Sequence, residues 1–335
     1  MTTFNSDAIP LTIEFDADEN PFLLRVHRKD GHGELSSLGF FASTHSTIPY
    51  NAPGSAHYPG SSGRELERRA SAHVTQWKNR TWDQPSCFIS LARSIPYVLF
   101  ESRRRDLLHP ANQPRISVID GAKLVARSDA WLATDLVGHI PRDPVFFAQR
   151  ADEVLAYSWI HRDAVVATVP VDKFFDCLPP WCGQVKADIR GDRLWSTADV
   201  ANALETLARQ HCNTAAAEEE LLEHSVQQSI EILRRENLAS SMEGFDENRH
   251  AGAIDKIAGL ASIFCWWPKW IVGDDDAEYP ALLEAVRNRV VQKLRWEKFG
   301  AEMTSMIQTS VLASAIRSRV TSHRMRTTTP YARPN

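Results

Sequence analysis

The sequence predicts an α+β fold: a strand-bearing half over residues 21–185, followed by an all-α region over residues 186–325. Two observations carry this expectation. Short runs rich in β-branched residues recur in the first half, as in Arg115-Ile116-Ser117-Val118-Ile119-Asp120 and Ala164-Val165-Val166-Ala167-Thr168-Val169-Pro170. Beyond about residue 185 those runs stop, and apolar residues return at helical spacing. Residues 1–20 read as a flexible lead-in, and 326–335 as a disordered basic tail.

The elements follow in order. Phe22-Leu23-Leu24-Arg25-Val26 is the first strand, closed by the turn-rich Lys29–Gly33, and Leu38–Phe41 is a second short apolar stretch. Residues 42–63, rich in Gly, Pro, Ser and Thr, read as a long loop. Leu66, Ala70, Val74 and Trp77 then fall on one helix face. Cys87–Ser90 reads as a strand, with Ser90 at its end. It leads to a helix from Ile95 with Pro96 in the first turn, ending at the basic run Arg103–Arg105. Ala133–Gly138 is a short helix or turn, and Glu153–Tyr157 is a strand.

In the second half, Ser196 with Asp199 forms a capping-box pattern ahead of Val200, Ala203, Leu204 and Leu207. Further apolar stripes run through Leu222–Leu233 and Ile254–Phe264. The latter leads into Trp266-Trp267-Pro268-Lys269-Trp270, read as core packing between helices. Pro280 opens a helix with Leu283, Val286, Val290 and Leu294, and a separate segment follows with Met303, Met306 and Ile307, also read as core.

Composition removes several function classes. The net charge of −4 is spread evenly over both halves, so neither has the cationic excess that phosphate neutralisation by a nucleic-acid-binding domain needs. No apolar run reaches the length of a bilayer span, and the acidic N-terminus lacks the apolar core of a signal peptide. The expected setting is therefore intracellular, cytoplasmic or nuclear, with no membrane partner. Five scattered cysteines match neither a disulfide framework nor a zinc motif, and no metal site is expected. Asp274-Asp275-Asp276 lacks the spaced oxygens of a calcium loop.

Three polar residues of the strand-bearing half remain: Arg25 inside the first strand, Ser90 at the end of another, and Glu153 opening a late one. A charge among apolar strand neighbours is costly to bury unpaired, so it is paired or functional. Their flanks are Leu24-Arg25-Val26, Phe88-Ile89-Ser90-Leu91-Ala92-Arg93-Ser94 and Ala151-Asp152-Glu153-Val154-Leu155, the last followed by Ile160-His161. In order and flanks, residues 20–175 resemble the Arg–Ser–Glu class of ADP-ribosyltransferases, that of the cholera toxin and heat-labile enterotoxin A subunits. The outline is also similar to an uncharacterised domain family of filamentous fungi.

The resemblance implies a split β-sandwich with flanking helices and NAD as substrate. By resemblance, Glu153 would be the catalytic carboxylate, holding a ribose hydroxyl while positive charge develops on the sugar. Arg25 would bind NAD through its fork of donors, and Ser90 would orient Glu153. Two positions depart from the pattern. Ala151 stands where arginine-modifying members carry a first glutamate, and Ala92 where they carry a last serine. That leaves NAD glycohydrolysis or a degenerate transferase on one side. On the other is a non-catalytic interaction module that retains the fold. The helical half is expected to serve a protein partner.

Overall fold

The computed structural model describes residues 22–28, 34–42, 63–79, 86–108, 113–136, 152–191, 196–235, 245–271 and 279–326. The lead-in, the 42–63 loop beyond Ala42, Ala151, the acidic Asp274–Asp276 segment and the residues after Arg326 lie outside them.

The first half supplies β1 (Phe22–His27), β2 (Gly39–Phe41), α1 (Gly63–Asn79), β3 (Phe88–Ala92), α2 (Ile95–Leu108) and β4 (Arg115–Asp120). It continues with α3 (Gly121–Val125), β5 (Ala130–Leu132), α4 (Ala133–Leu136), β6 (Glu153–Tyr157), β7 (Trp159–His161), β8 (Val165–Pro170), α5 (Val171–Asp176) and α6 (Gly183–Arg190). The helices α7 (Thr197–His211), α8 (Ala215–Arg235), α9 (Ala251–Ile271) and α10 (Tyr279–Arg326) follow. The architecture is α+β, as the sequence predicts.

Six strands form one sheet in the order β5-β6-β3-β1-β4-β8, while β2 and β7 form a two-stranded ribbon. Strand alternation sends Leu24 and Val26 of β1 to one face and Leu23 to the other. On the first face they meet Val98 and Leu99 of α2 and then the helical half, through Ile257, Phe264 and Val290, in one continuous core. On the second, Leu23, Ile89, Leu91, Val154 and Ala156 pack under Phe40 and Ile160 of the ribbon. A third, smaller core joins Leu66, Ala70 and Val74 of α1 to Phe88, Leu155 and Tyr157.

The ribbon depends on Gly39, whose φ of +123° is a conformation side chains rarely adopt. A Cβ there would lie 2.0 Å from the Ile160 carbonyl oxygen, a backbone atom held in the β2–β7 ladder. Gly39→Ala is expected to destabilise the protein by about 3 kcal/mol. The check is a lower urea midpoint with an unchanged denaturant slope.

Several sequence expectations change. The strand carrying Ser90 runs on to Ala92, so Ser90 lies inside it. The cap of α2 is Ser94, whose Oγ accepts from the Tyr97 N–H at 3.3 Å. Arg103–Arg105 do not end α2, which continues to Leu108; Arg104 and Arg105 instead turn back onto the buried Glu101. Pro280 opens one helix of 48 residues rather than two segments. Within it Trp296, Phe299, Met303, Met306 and Ile307 are exposed, and the reading of Met303 and Met306 as core is wrong. The amphipathic pattern is real, but no described element packs on it. Trp267 does sit in the core as expected, 5.7 Å from Trp181 between ring centres. The Ser196–Asp199 capping box forms in full.

Candidate functional site

The site begins where the sheet comes apart. The adjoining pairs β1–β4 and β3–β6 hold registers of six and five residue pairs, but β1 meets β3 through Leu24↔Ala92 alone. Beyond that point the Ser90 carbonyl has no ladder partner on β1. Arg25 fills the gap: its Nη1 donates to the Ser90 carbonyl at 3.0 Å, and its guanidinium carbon lies 4.9 Å from the centre of the Phe40 ring.

The Ser90 hydroxyl points to the other side, toward α1, and is held from two directions. His73 Nε2 lies 2.8 Å from its Oγ. The hydroxyl also hydrogen-bonds to the Glu153 carboxyl. Glu153 reaches it because its Cα partner on β3 is Ala92, two residues along from Ser90 and on the same face. His73 Nδ1 is anchored in turn by Ser86 Oγ at 2.6 Å, and that oxygen accepts from the Phe88 N–H at 3.1 Å. A line of hydrogen bonds therefore runs Ser86–His73–Ser90–Glu153, with Arg25 bonded to the backbone of its third member.

The start of β6 is clamped. Asp152, at φ +47°, bonds Arg93 through its carboxylate at 2.6 Å, and its carbonyl accepts from the Arg93 N–H at 3.2 Å. This ties the residue before Glu153 to the residue after Ala92. Ala92 itself is buried in the main core, so its methyl is part of the packing beneath α2.

Burial sets the electrostatics. It raises the Glu153 carboxyl to about 7, although the Ser90 hydrogen bond favours the ionised form. Burial and, second, the positive charge of Arg25 lower His73 to about 4, so its imidazole is neutral at neutral pH. Burial and Arg105 also lower Arg25, which remains a cation. Tyr97 on α2 is raised by burial and by the charges of Glu101 and Glu153. The cluster thus combines a carboxyl poised to titrate near neutrality, a neutral imidazole and a fixed cation. When ionised, its carboxylate can stabilise positive charge developing nearby.

The structure brings Arg25, Ser90 and Glu153 together. Sequence reasoning missed His73, whose signal was present: Leu66, Ala70, His73 and Trp77 follow steps of 4, 3 and 4. A polar residue on an otherwise apolar stripe needs a partner, and here that partner is Ser90. Among the described residues, no group of His, Cys, Asp or Glu could hold a metal ion, and no helix is long and apolar enough to cross a membrane. Cys177 and Cys182 are wholly buried, and burial lifts the Cys182 thiol to about 12, so it packs as an apolar group.

The fold and site thus define an α+β protein with a half-buried acid–hydroxyl–imidazole cluster at a break in its sheet. Residues 18–174 match a family described as a domain of unknown function (DUF7587), a span that contains Arg25, His73, Ser86, Ser90 and Glu153. No curated protein and no solved structure is detectably similar to the chain.

Proposed function

We propose that the strand-bearing half is an ADP-ribosyltransferase-like NAD-binding unit whose reaction is cleavage of the nicotinamide–ribose bond, with water as acceptor. The observation that carries this reading is the convergence of Arg25, Ser90 and Glu153 at one break in the sheet, Arg25 and Ser90 lying 65 residues apart. Glu153 as carboxylate holds a ribose hydroxyl. As the carbon–nitrogen bond breaks, its electron pair leaves with nicotinamide and positive charge spreads over the sugar, where the carboxylate stabilises it. Water adds to the anomeric carbon and releases a proton. Ser90 and His73 fix the carboxylate's direction, and Arg25 binds the NAD phosphates. Water rather than arginine is the acceptor because, by the resemblance, Ala151 replaces the glutamate that helps activate an arginine acceptor, and Ala92 replaces the last serine of the motif.

The test is the pH profile of nicotinamide release by the purified protein. Only ionised Glu153 is competent, so the rate is expected to rise about tenfold per pH unit below 7 and level off above it. A profile that stays flat from acid to neutral pH would remove Glu153 from the chemistry.

A second reading has its own observation. The exposed row Trp296, Phe299, Met303, Met306 and Ile307 on α10 favours a protein-interaction module, with the helical half as the contact surface. In that case the fold is kept without NAD binding.

A further inference from the structure

A second cluster of charge lies at the opposite side of β1, away from Ser90 and Glu153. The strand β8 ends the six-stranded sheet, and a cavity of about 270 Å³ wraps around it between the β1 end, the turn before β8 and α9. Four cationic side chains line it, Arg28, Arg115, Arg162 and Lys256, against a single carboxylate, Glu34. The cavity is thus locally basic in a chain whose net charge is −4.

Three of these cations are not consumed by ion pairing. Arg28, Arg162 and Lys256 form no ion pair among the described residues. Arg162 Nη1 is shut off from solvent and has no acceptor, an arrangement that costs free energy unless something else accepts from it. Arg115 is anchored on the wall and donates to the Thr168 carbonyl at 3.4 Å. Two further lining side chains, His27 and Thr168, are joined behind the wall through the buried Ser117 hydroxyl: His27 Nε2 to Ser117 Oγ at 3.0 Å, and Ser117 Oγ to Thr168 Oγ1 at 2.6 Å. His27 is neutral, since burial and then Arg25 hold its pKa near 3, with Arg115 also contributing.

We infer that this cavity is a binding site for a small phosphorylated molecule carrying a phosphate or diphosphate group. Planar guanidinium forks match phosphoryl oxygens two at a time, and Lys256 adds a point charge from the helical half. The volume exceeds that of one phosphate and suits a diphosphate or a sugar phosphate. A ligand here would bridge β8 and α9, joining the two halves of the chain across an edge where Gly259 already lets Val166 and Phe22 come within 3.1 Å of the helix backbone's would-be Cβ. The inference stands on residues that the NAD reading does not use.

The experiment is calorimetric titration of the full chain with inorganic pyrophosphate, with sulfate at equal ionic strength as the control. One saturable site is expected. Arg162→Gln and Lys256→Gln are each expected to weaken it about tenfold, while Glu34→Gln, which removes the lone carboxylate, is expected to tighten it. Should Arg162→Gln fail to fold, Lys256→Gln and Glu34→Gln carry the test, since both side chains reach solvent. Nicotinamide release is expected to be unchanged in all three. Absence of saturable heat at millimolar pyrophosphate would overturn the inference, as would unchanged affinity in the variants. Tighter competition by a short oligonucleotide would overturn the small-molecule reading in favour of a polymer.

Discussion

Glu153→Gln is expected to abolish nicotinamide release from NAD, by about 10²–10³-fold or more, in a protein that remains folded. Glutamine keeps the shape and a hydrogen-bonding oxygen for Ser90 but cannot carry the charge that balances the developing sugar cation. The same substitution has a second signature with the opposite sign. Burial raises the carboxyl from its ordinary value of 4.5 to about 7, so the folded state holds this proton more tightly than the unfolded chain does. Between those values the native state binds more protons, and stability falls as pH rises from 4.5 to 7 and is flat above. Glutamine removes that loss. At pH 8 Glu153→Gln is expected to be more stable than wild type by up to roughly 3 kcal/mol, and at pH 4 equal to it. Thermal or urea unfolding at the two pH values checks this. A variant that loses activity and stability together would make Glu153 a structural residue.

The second large effect lies one shell further out. Glu101 of α2 is 2% exposed and holds two arginines: Arg104 at 2.7 and 2.9 Å, and Arg105 at 2.5 Å. Arg105 in turn donates to the Val26 carbonyl at 2.8 Å, tying α2 to the end of β1. Glu101→Ala would leave two partly buried guanidinium groups without their counter-charge, and the expected cost is about 3–5 kcal/mol. Glu101→Gln keeps the packing and is expected to lose less. Denaturant midpoints of the two variants check the order. Equal stability of Glu101→Ala and wild type would mean that the arginines find water instead.

Much of this was legible in the sequence, for stated physical reasons. β4 and β6 were readable to the residue because dense β-branched or apolar runs end in polar residues. The capping box at Ser196 fixed the start of α7 because that pattern satisfies two backbone donors at once. The strands β5 and β7 were not legible. Each has three residues, too few for a period of two to show; β5 exists because the longer β6 offers an edge, and β7 because it pairs with the equally short β2. The exposure of the later part of α10 was hidden for another reason: Met303, Met306 and Ile307 form an apolar stripe at helical spacing, which reads as core, yet they face water.

The site was half legible. A charged residue within an apolar strand marked Arg25, and order along the chain marked Ser90 and Glu153. That β1 and β3 pair at a single position could not be read from either strand alone, since pairing is a property of the two strands together. His73 hid on a helix whose other apolar-face residues are core. The pairing of Asp152 with Arg93, which sets the entry of Glu153, joins residues 59 apart and likewise leaves no local trace.

The most direct measurement is calorimetric titration of the purified full chain with NAD, alongside Arg25→Ala. The expected result is one saturable site that is lost or weakened at least about tenfold in the variant, because Arg25 supplies charge-assisted bonds to the phosphates. Absence of NAD binding at millimolar ligand in a folded wild-type protein would contradict the proposal and leave the interaction-module reading in its place.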